Sequence, residues 1–191
     1  MPSSYIAGVD EAGRGCIAGP VVAAAVILPT NFEIGLLKDS KTLTEAKRNE
    51  LYTLIKKKSI SVSFSIINHQ IIDKINILQA SLLAMRYSIE RCCPIPKRVL
   101  IDGNKVPNGL LIKAEAIVKG DQKVPEISAA SIVAKVIRDK IMKKYHTYFL
   151  EYKFDLHKGY GTKEHYELIF KHGISPIHRK SFNLTRQLRL F

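Results

Sequence analysis

The sequence has 191 residues, of which 46% are hydrophobic and 25% are charged. Such a chain is long enough for one domain and apolar enough to bury a core, which excludes a disordered basic tail. The 30 Lys and Arg residues against 17 Asp and Glu residues give a formal net charge of +13. This surplus favours a polyanionic partner, nucleic acid first, because Lys and Arg neutralise phosphates and release their counterions.

The hydrophobic pattern predicts an α/β domain with a central mixed sheet and flanking helices. In chain order the predicted strands cover residues 5–9, 21–28, 60–66, 98–101 and 116–118, and the predicted helices cover 45–58, 75–91, 128–145 and a segment after Thr162. Thr42 and Glu45 have the spacing of a capping box before the first helix. In residues 60–66 apolar side chains alternate with serines, which predicts a half-buried strand. We expect one domain over residues 1–191, with residues from about 140 to 191 forming a basic helical C-terminal segment.

The cysteines and the apolar segments bear on localisation. Cys16, Cys92 and Cys93 are the three cysteines, and their spacing is typical neither of a disulfide framework nor of a zinc site. The longest apolar run, residues 16–28, is shorter than the roughly 20 residues of a membrane span. The N-terminus also lacks the basic segment of a signal peptide. We therefore expect a cytoplasmic protein without membrane association.

Acidic residues stand where predicted strands end. Asp10 and Glu11 follow the first strand, Asp102 follows the strand over 98–101, and Asp121 follows the strand over 116–118. Strand ends border the functional crevice of open α/β sheets, so these carboxylates could converge on one site. Carboxylate oxygens without His or Cys suit Mg²⁺ or Mn²⁺, and two such cations in a basic protein point to phosphodiester hydrolysis. Each Asp alone could instead be a turn residue.

Consecutive strand residues point to opposite faces. If Asp10 and Glu11 both serve one site, Glu11 must turn at the strand end or contribute its backbone carbonyl.

An ordered series of motifs resembles the type 2 ribonuclease H family, ribonuclease HII. The matching segments are GVDEAGRG (8–15), AGPV (18–21), DSK (39–41), IDGN (101–104), GD (120–121) before ISAASIVAKVIRD (127–139), HKGYGT (157–162) and HRKSF (178–182). The resemblance implies a ribonuclease H-like fold and an endonuclease. Such an enzyme cuts the RNA strand of RNA/DNA hybrids and nicks duplex DNA 5′ of an embedded ribonucleotide. Cleavage leaves 3′-hydroxyl and 5′-phosphate ends, and its cellular role is removal of RNA primers and misincorporated ribonucleotides.

The resemblance also implies the roles of individual residues. It implies four catalytic residues that bind Mn²⁺ or Mg²⁺, namely Asp10, Glu11, Asp102 and Asp121. Two ions are expected to be bound during catalysis. Substrate-binding residues are Gly13, Arg14, Gly15, Ser40, Lys41, Asn104 and Tyr160. Glycine backbones can approach a ribose closely enough to hydrogen-bond its 2′-hydroxyl, and a tyrosine ring can stack on a sugar or base. We expect a monomer.

Further positions near these motifs stay open between two interpretations. Ser40 and Lys41 could be a helix cap and a solvated lysine rather than phosphate ligands. Asp139 could support the metal site or pair with Lys143 one turn later.

Four further motif residues have more than one interpretation. Ser131, with Ser128, is best interpreted as a small residue for close helix packing. His157 and His178 could contact phosphate or be ordinary surface histidines.

Two alternatives compete with this interpretation. Type 3 ribonuclease H shares the fold but carries an extra N-terminal domain and a Glu at the fourth acidic position, where this chain has Asp121. A non-catalytic RNA- or hybrid-binding module would also explain the charge, but it would gain nothing from four carboxylates in its groove.

Overall fold

The computed structural model describes residues 5–33, 35 and 43–184. Five strands, β1 (Ile6–Ala12), β2 (Val21–Ile27), β3 (Ser61–Ile67), β4 (Arg98–Asp102) and β5 (Lys113–Ile117), form one sheet in the order β3-β2-β1-β4-β5. The pairs β1–β2 and β2–β3 are antiparallel, and the pairs β1–β4 and β4–β5 are parallel. The predicted mixed sheet is confirmed.

Five α-helices accompany the sheet: α1 (Glu45–Lys58), α2 (His69–Glu90), α3 (Pro125–Tyr148), α4 (Phe154–His157) and α5 (Lys163–His172). The predicted bounds of α1 are confirmed. Its cap, however, is Thr44, whose side chain accepts from the backbone N–H of Lys47. Thr42, the predicted cap, lies outside the described residues. None of the helices in the described ranges has the length and apolar character to cross a membrane.

Helix α2 begins at His69, earlier than the predicted start at residue 75. Asn76 interrupts it with φ 64°, a conformation that Asn tolerates better than most residues. The Asn76 side chain accepts from the backbone N–H groups of Leu78 and Gln79, so it caps the second half of the helix. The predicted helix over residues 75–91 corresponds mainly to this second half.

Strand β3 is half buried as predicted, and its buried face is the serine face. Ser63 is 7% exposed whereas Phe64 is 41% exposed. The Ser63 hydroxyl donates to the carbonyl of Ser88 on α2 at 2.7 Å. Small hydroxyl side chains therefore let α2 pack closely on this end of the sheet.

The sheet is covered on both faces. Helix α2 packs on one face, and α1 with α3 packs on the other. Every residue of β2 is fully buried between them, and Ala129 and Ala130 of α3 keep that helix close to the sheet. Helix α3 also touches β1: a Cβ added at Gly8 would lie 2.1 Å from the backbone carbonyl carbon of Glu126. Glycine at this position brings the start of α3 against the strand that carries Asp10.

A third apolar cluster lies beyond the sheet. It joins the loop after β1 to the end of α3 and the C-terminal helices, and it contains Ile17, Ala18, Met142, Tyr152, Phe154, Tyr166, Ile169, Ile177 and Leu184. The C-terminal segment is thus packed against the loop that follows the first acidic residues.

All three cysteines are free thiols; Cys16 and Cys92 are buried and Cys93 is exposed.

Candidate active site

The predicted metal ligands lie at one edge of the sheet. Asp10 and Glu11 are near the end of β1, and Asp102 is the last residue of β4. The parallel register pairs Val9 with Ile101, so the acidic residues that follow them are at the same level. Asp121 lies in a short 3₁₀ helix (Gly120–Gln122) after β5. Asp102 Oδ1 accepts from the backbone N–H of Gly120 at 2.7 Å, which ties the end of β4 to the turn carrying Asp121.

Burial and like charge dominate the electrostatics of this edge. Asp10 is 6% exposed, and burial raises the pKa of its carboxyl well above the usual range. The neighbouring charges of Glu11 and Asp102 raise this pKa further, while a hydrogen bond from Ser131 lowers it. Burial also raises the pKa of Glu11, opposed by Arg14 and reinforced by Asp102. Three carboxylates therefore repel one another here, a cost that a bound cation would relieve.

Glu11 remains inside β1, which continues to Ala12. Of the two alternatives for this residue, the turn at the strand end is therefore wrong, and the contribution of its backbone carbonyl stays a prediction. Its Oε1 accepts from Arg14 at 3.1 Å. Its buried Oε2 has no hydrogen-bond partner among the described residues. A buried carboxylate oxygen without a donor is costly, and a divalent cation is the kind of partner that would satisfy it.

The donor set fits hard cations. Its groups are Asp and Glu oxygens, which suit Mg²⁺ or Mn²⁺. Within residues 5–33, 35 and 43–184, no three Asp, Glu, His or Cys side chains form a ready-made metal-binding group. The fit therefore depends on the repulsion at Asp10 and on the unsatisfied oxygen of Glu11.

An open cleft of about 250 Å³ begins at Glu11. Its lining residues come from β1, the loop after it, α1, α3 and the segment before α5, and they are Glu11, Ala12, Gly13, Arg48, Ser131, Ile132, Lys135 and Tyr160. The structure thus brings a predicted metal ligand together with two predicted substrate-reading positions, Gly13 and Tyr160.

Two buried arginines hold the loop after β1. Arg138 and Arg179 are both fully buried. Arg138 donates to the carbonyls of Ala18, Pro20 and Lys158, and Arg179 donates to those of Gly13, Arg14, Gly19 and Pro20. Our sequence analysis missed both residues, because a lone Arg is most often a surface residue. The only signal was that each lies within a family-like motif.

Gly13 and Gly15 are glycines for different reasons. Gly13 has φ +100°, and an added Cβ would lie 2.1 Å from Nε of Arg138. At Gly15 no described atom lies within 4 Å of an added Cβ. The fold requires the first glycine, whereas the second leaves an open approach to the backbone.

Tyr160 lies beside this loop. It pairs with Cys16 in an isolated antiparallel bridge. Tyr160 is 39% exposed, with Lys135 Nζ 5.2 Å and Arg138 Cζ 5.7 Å from its ring centroid. A half-exposed aromatic ring backed by two cations can stack on a nucleotide whose phosphates those cations attract.

Four other positions from the sequence analysis are placed as follows. Ser40 and Lys41 lie outside the described residues. Asn104 is exposed in the bend after β4 and is not among the residues lining the cleft. Ser131 lowers the pKa of the Asp10 carboxyl through its side chain, an interaction that its interpretation as a packing residue did not include.

Two further alternatives are corrected. Asp139 is buried and accepts from Lys135, one helical turn before it, at 2.8 Å. The predicted partner, Lys143, pairs with Glu45 instead. His157 and His178 are 9% and 0% exposed, so neither is a surface histidine or a free phosphate ligand. The aromatic side chains Tyr152 and Phe154 pack around them, so both histidines lie in an apolar environment.

Comparison with known proteins agrees with this geometry. The profile of the family described as Ribonuclease HII matches residues 7–185. The chain belongs to the ribonuclease HII family. The curated ribonuclease HII of Endomicrobium trichonymphae is 51% identical over 178 residues, which cover 93% of this chain and 85% of that protein. The chain is therefore a ribonuclease H, an endonuclease.

Solved structures show the same fold. The ribonuclease H2 from Pyrococcus horikoshii OT3 superposes with a TM-score of 0.78 at 25% identity, covering 97% of each chain. Bst-RNase HIII, solved in complex with Mn²⁺, superposes with the same TM-score at 16% identity, covering 98% of this chain and 70% of that one. The second likeness concerns the fold alone. The predicted ribonuclease H-like fold is confirmed, and membership of the ribonuclease HII family favours type 2 over type 3.

Proposed function

We propose that this ribonuclease HII cuts the RNA strand of RNA/DNA hybrids and nicks duplex DNA on the 5′ side of an embedded ribonucleotide. The single observation that carries the proposal is the cleft shared by Glu11, Gly13 and Tyr160. It puts a carboxylate suited to a catalytic cation beside a backbone and a ring suited to reading a ribose. A role in removing RNA primers and misincorporated ribonucleotides in the cytoplasm follows from this specificity, with the protein acting as a monomer.

Asp10, Glu11, Asp102 and Asp121 are proposed to hold two divalent cations, Mn²⁺ or Mg²⁺. When bound, such cations activate water and stabilise the leaving oxygen of a phosphodiester. The repulsion that raises the pKa of Asp10 and the unsatisfied Oε2 of Glu11 support this assignment. Hydrolysis breaks the bond between phosphorus and the 3′ oxygen, so the products carry a 3′-hydroxyl and a 5′-phosphate.

The substrate side of the cleft is proposed to recognise the ribonucleotide. Only the 2′-hydroxyl distinguishes a ribonucleotide from its DNA neighbours, and the open backbone at Gly15 lets a sugar approach. Arg14 is half exposed beside Glu11 and can reach a phosphate. Ser40, Lys41 and Asn104 are proposed as further contacts to the substrate. The net charge of +13 supports binding along the duplex backbone.

The test uses end-labelled duplex DNA with one ribonucleotide, incubated with the protein and Mn²⁺, Mg²⁺ or EDTA; an all-DNA duplex is the control. We expect a metal-dependent nick immediately 5′ of the ribonucleotide. Asp102→Asn should abolish cleavage while duplex binding stays within about tenfold, or about 1.4 kcal/mol. Binding without cleavage of either this substrate or long hybrids would instead support a non-catalytic binding module. An active Asp102→Asn protein would remove that residue from the metal site.

A further inference from the structure

Three histidines are buried together behind Tyr160. His165 and His178 are each 0% exposed, and their Nε2 atoms are 3.1 Å apart. The ring of His157 stacks on that of His165, with centroids 4.0 Å apart. Burial lowers the pKa of His165 to about 3 and that of His178 to about 4, so both rings are neutral near neutral pH.

The partners of these rings fix which nitrogen carries each proton. His178 Nδ1 receives the backbone N–H of Ser175 at 2.8 Å, so this nitrogen is an acceptor and the proton is on Nε2. His165 Nδ1 lies 2.8 Å from the carbonyl oxygen of Tyr160. Because a carbonyl only accepts, His165 carries its proton on Nδ1 and its Nε2 is free to accept from His178. The bonds therefore run in one direction, from Ser175 through His178 and His165 to Tyr160.

The segment that starts this series of hydrogen bonds also holds Gly13–Gly15, the glycine loop. Arg179, next to His178, donates to the carbonyls of Gly13 and Arg14 at 2.7 and 3.0 Å. One short segment, Ser175 to Arg179, is thus bonded to both proposed reading elements: the loop through Arg179, and the backbone of Tyr160 through the two histidines.

We propose that His165 and His178 are positioning residues that set the backbone of Tyr160 relative to Gly13–Gly15, and that this spacing determines how well an embedded ribonucleotide is recognised. The inference rests on the proposed reading role of Tyr160. Burying two imidazoles has a desolvation cost that an apolar pair would avoid. The imidazoles supply a directed hydrogen bond to the backbone of Tyr160. The ring of this cleft residue lies near two cations and is partly exposed.

Two nearly isosteric substitutions separate the two bonds of His165. In His165→Asn the amide nitrogen takes the place of Nδ1 and keeps the donor to Tyr160, but the acceptor for His178 is lost. In His165→Gln the amide oxygen takes the place of Nε2 and keeps the acceptor for His178, but the donor to Tyr160 is lost. Each variant loses one of the two hydrogen bonds of the His165 ring, so their melting temperatures should fall by similar amounts. His172→Gln, at an exposed position of the same helix, is the matched control.

The readout is kcat/KM on the single-ribonucleotide duplex, together with the Kd for an all-DNA duplex without metal. We expect His165→Gln to lose about tenfold in kcat/KM, equivalent to about 1.4 kcal/mol. His165→Asn should lose less than His165→Gln, because it keeps the donor to Tyr160 and gives up only the bond from His178. His172→Gln should stay close to the unmodified protein, and the Kd for DNA should be unchanged throughout. Equal losses in the Asn and Gln variants would show that only stability matters and would overturn the proposal.

A double-mutant cycle with Tyr160→Ala tests whether His165 acts through Tyr160. If it does, His165→Gln has no further effect once the ring is gone, because coupled residues are not additive. Additive losses would overturn the inference while leaving the reading role of Tyr160 intact. Full cleavage by Tyr160→Ala alone would overturn the reading role, and the positioning role with it.

A measurement on the unmodified protein keeps the proposal testable should the variants fail to fold. Nitrogen-15 NMR of the imidazole rings at neutral pH distinguishes the tautomers directly. The proton is expected on Nδ1 of His165 and on Nε2 of His178. Either ring in the opposite tautomer would contradict the directed chain.

Discussion

Arg138 and Arg179 donate to the same carbonyl oxygen, that of Pro20, from Nε at 3.0 Å and from Nη2 at 3.1 Å respectively. Two buried guanidinium groups thus share a backbone acceptor. Burial lowers the pKa of Arg179 to about 10, with the charge of Arg138 contributing in the same direction. Backbone carbonyls rather than carboxylates offset this cost, and as a result the loop between β1 and β2 is fixed beside the acidic edge.

Arg179→Lys is expected to destabilise the protein by about 2–4 kcal/mol, because a single ammonium cannot reach the four carbonyls that the planar guanidinium serves. Urea unfolding followed by circular dichroism measures this change. Arg86→Lys, at an exposed position paired with Glu90, is the control and should leave the free energy of unfolding nearly unchanged. Equal effects of the two substitutions would mean that the buried bonds of Arg179 contribute little.

Ser131→Ala removes the hydrogen bond that lowers the pKa of Asp10. Because groups that orient a metal ligand typically affect metal affinity by tenfold or more, the Mn²⁺ concentration for half-maximal cleavage should rise by about tenfold. Metal titration of cleavage, and of Mn²⁺ binding itself, measures the shift. Ser81→Ala is the control, since the hydroxyl of Ser81 bonds only within α2 to the carbonyl of Ile77. An unchanged titration would show that Ser131 serves packing alone.

Gly15→Ala should separate folding from recognition. Since no described atom lies within 4 Å of the added methyl group, the free energy of unfolding should change by less than about 0.5 kcal/mol. Cleavage of the single-ribonucleotide duplex should nevertheless fall by about tenfold or more, because the methyl group would hold the sugar away from the backbone. Gly35→Ala, likewise free of described neighbours within 4 Å, should change neither quantity. Unimpaired cleavage by Gly15→Ala would argue against close approach at this residue.

The histidine cluster predicts a loss of stability in mild acid. An unfolded histidine binds its proton near pH 6.5, whereas His178 does so only near pH 4 and His165 near pH 3 in the folded state. Within that window the unfolded chain binds more protons, so the free energy of unfolding decreases as pH falls below about 6.5. Urea unfolding at several pH values should show a smaller slope for His165→Asn than for the unmodified protein. Parallel profiles would show that His165 does not contribute.

Much of the fold could be predicted from the sequence because its signals are local. The apolar periodicity of residues 45–58 and 98–101 and the acids that follow the strands depend only on neighbours in the chain, and the sheet places Asp10 and Asp102 at one edge as expected. The capping of α1 by Thr44 depends on which of two nearby threonines meets the first free N–H, and spacing alone suggested the wrong one.

The unpredicted features depend on contacts between distant segments. Polar residues are expected at the surface, so nothing in the sequence indicated that Arg179 serves carbonyls more than 150 positions away or that His165 and His178 are buried together. The same holds for Ser131, whose direction toward Asp10 is set by the packing of α3 on β1. Arg179 folds inward because the carbonyl groups of Gly13 and Arg14 need donors, a demand that appears only once the chain is assembled.

The cysteines have a practical consequence for watching this enzyme at work. The thiols of Cys16 and Cys92 are buried and their pKa values are raised by burial, whereas Cys93 is exposed. Maleimide reagents should therefore attach to the native chain at a single place. Cys93 precedes the first residue of β4, whereas Asp102 is its last residue, so the label and the acidic residue are at opposite ends of this strand. A fluorophore there could report on substrate arrival and departure without mutagenesis and without occupying the cleft.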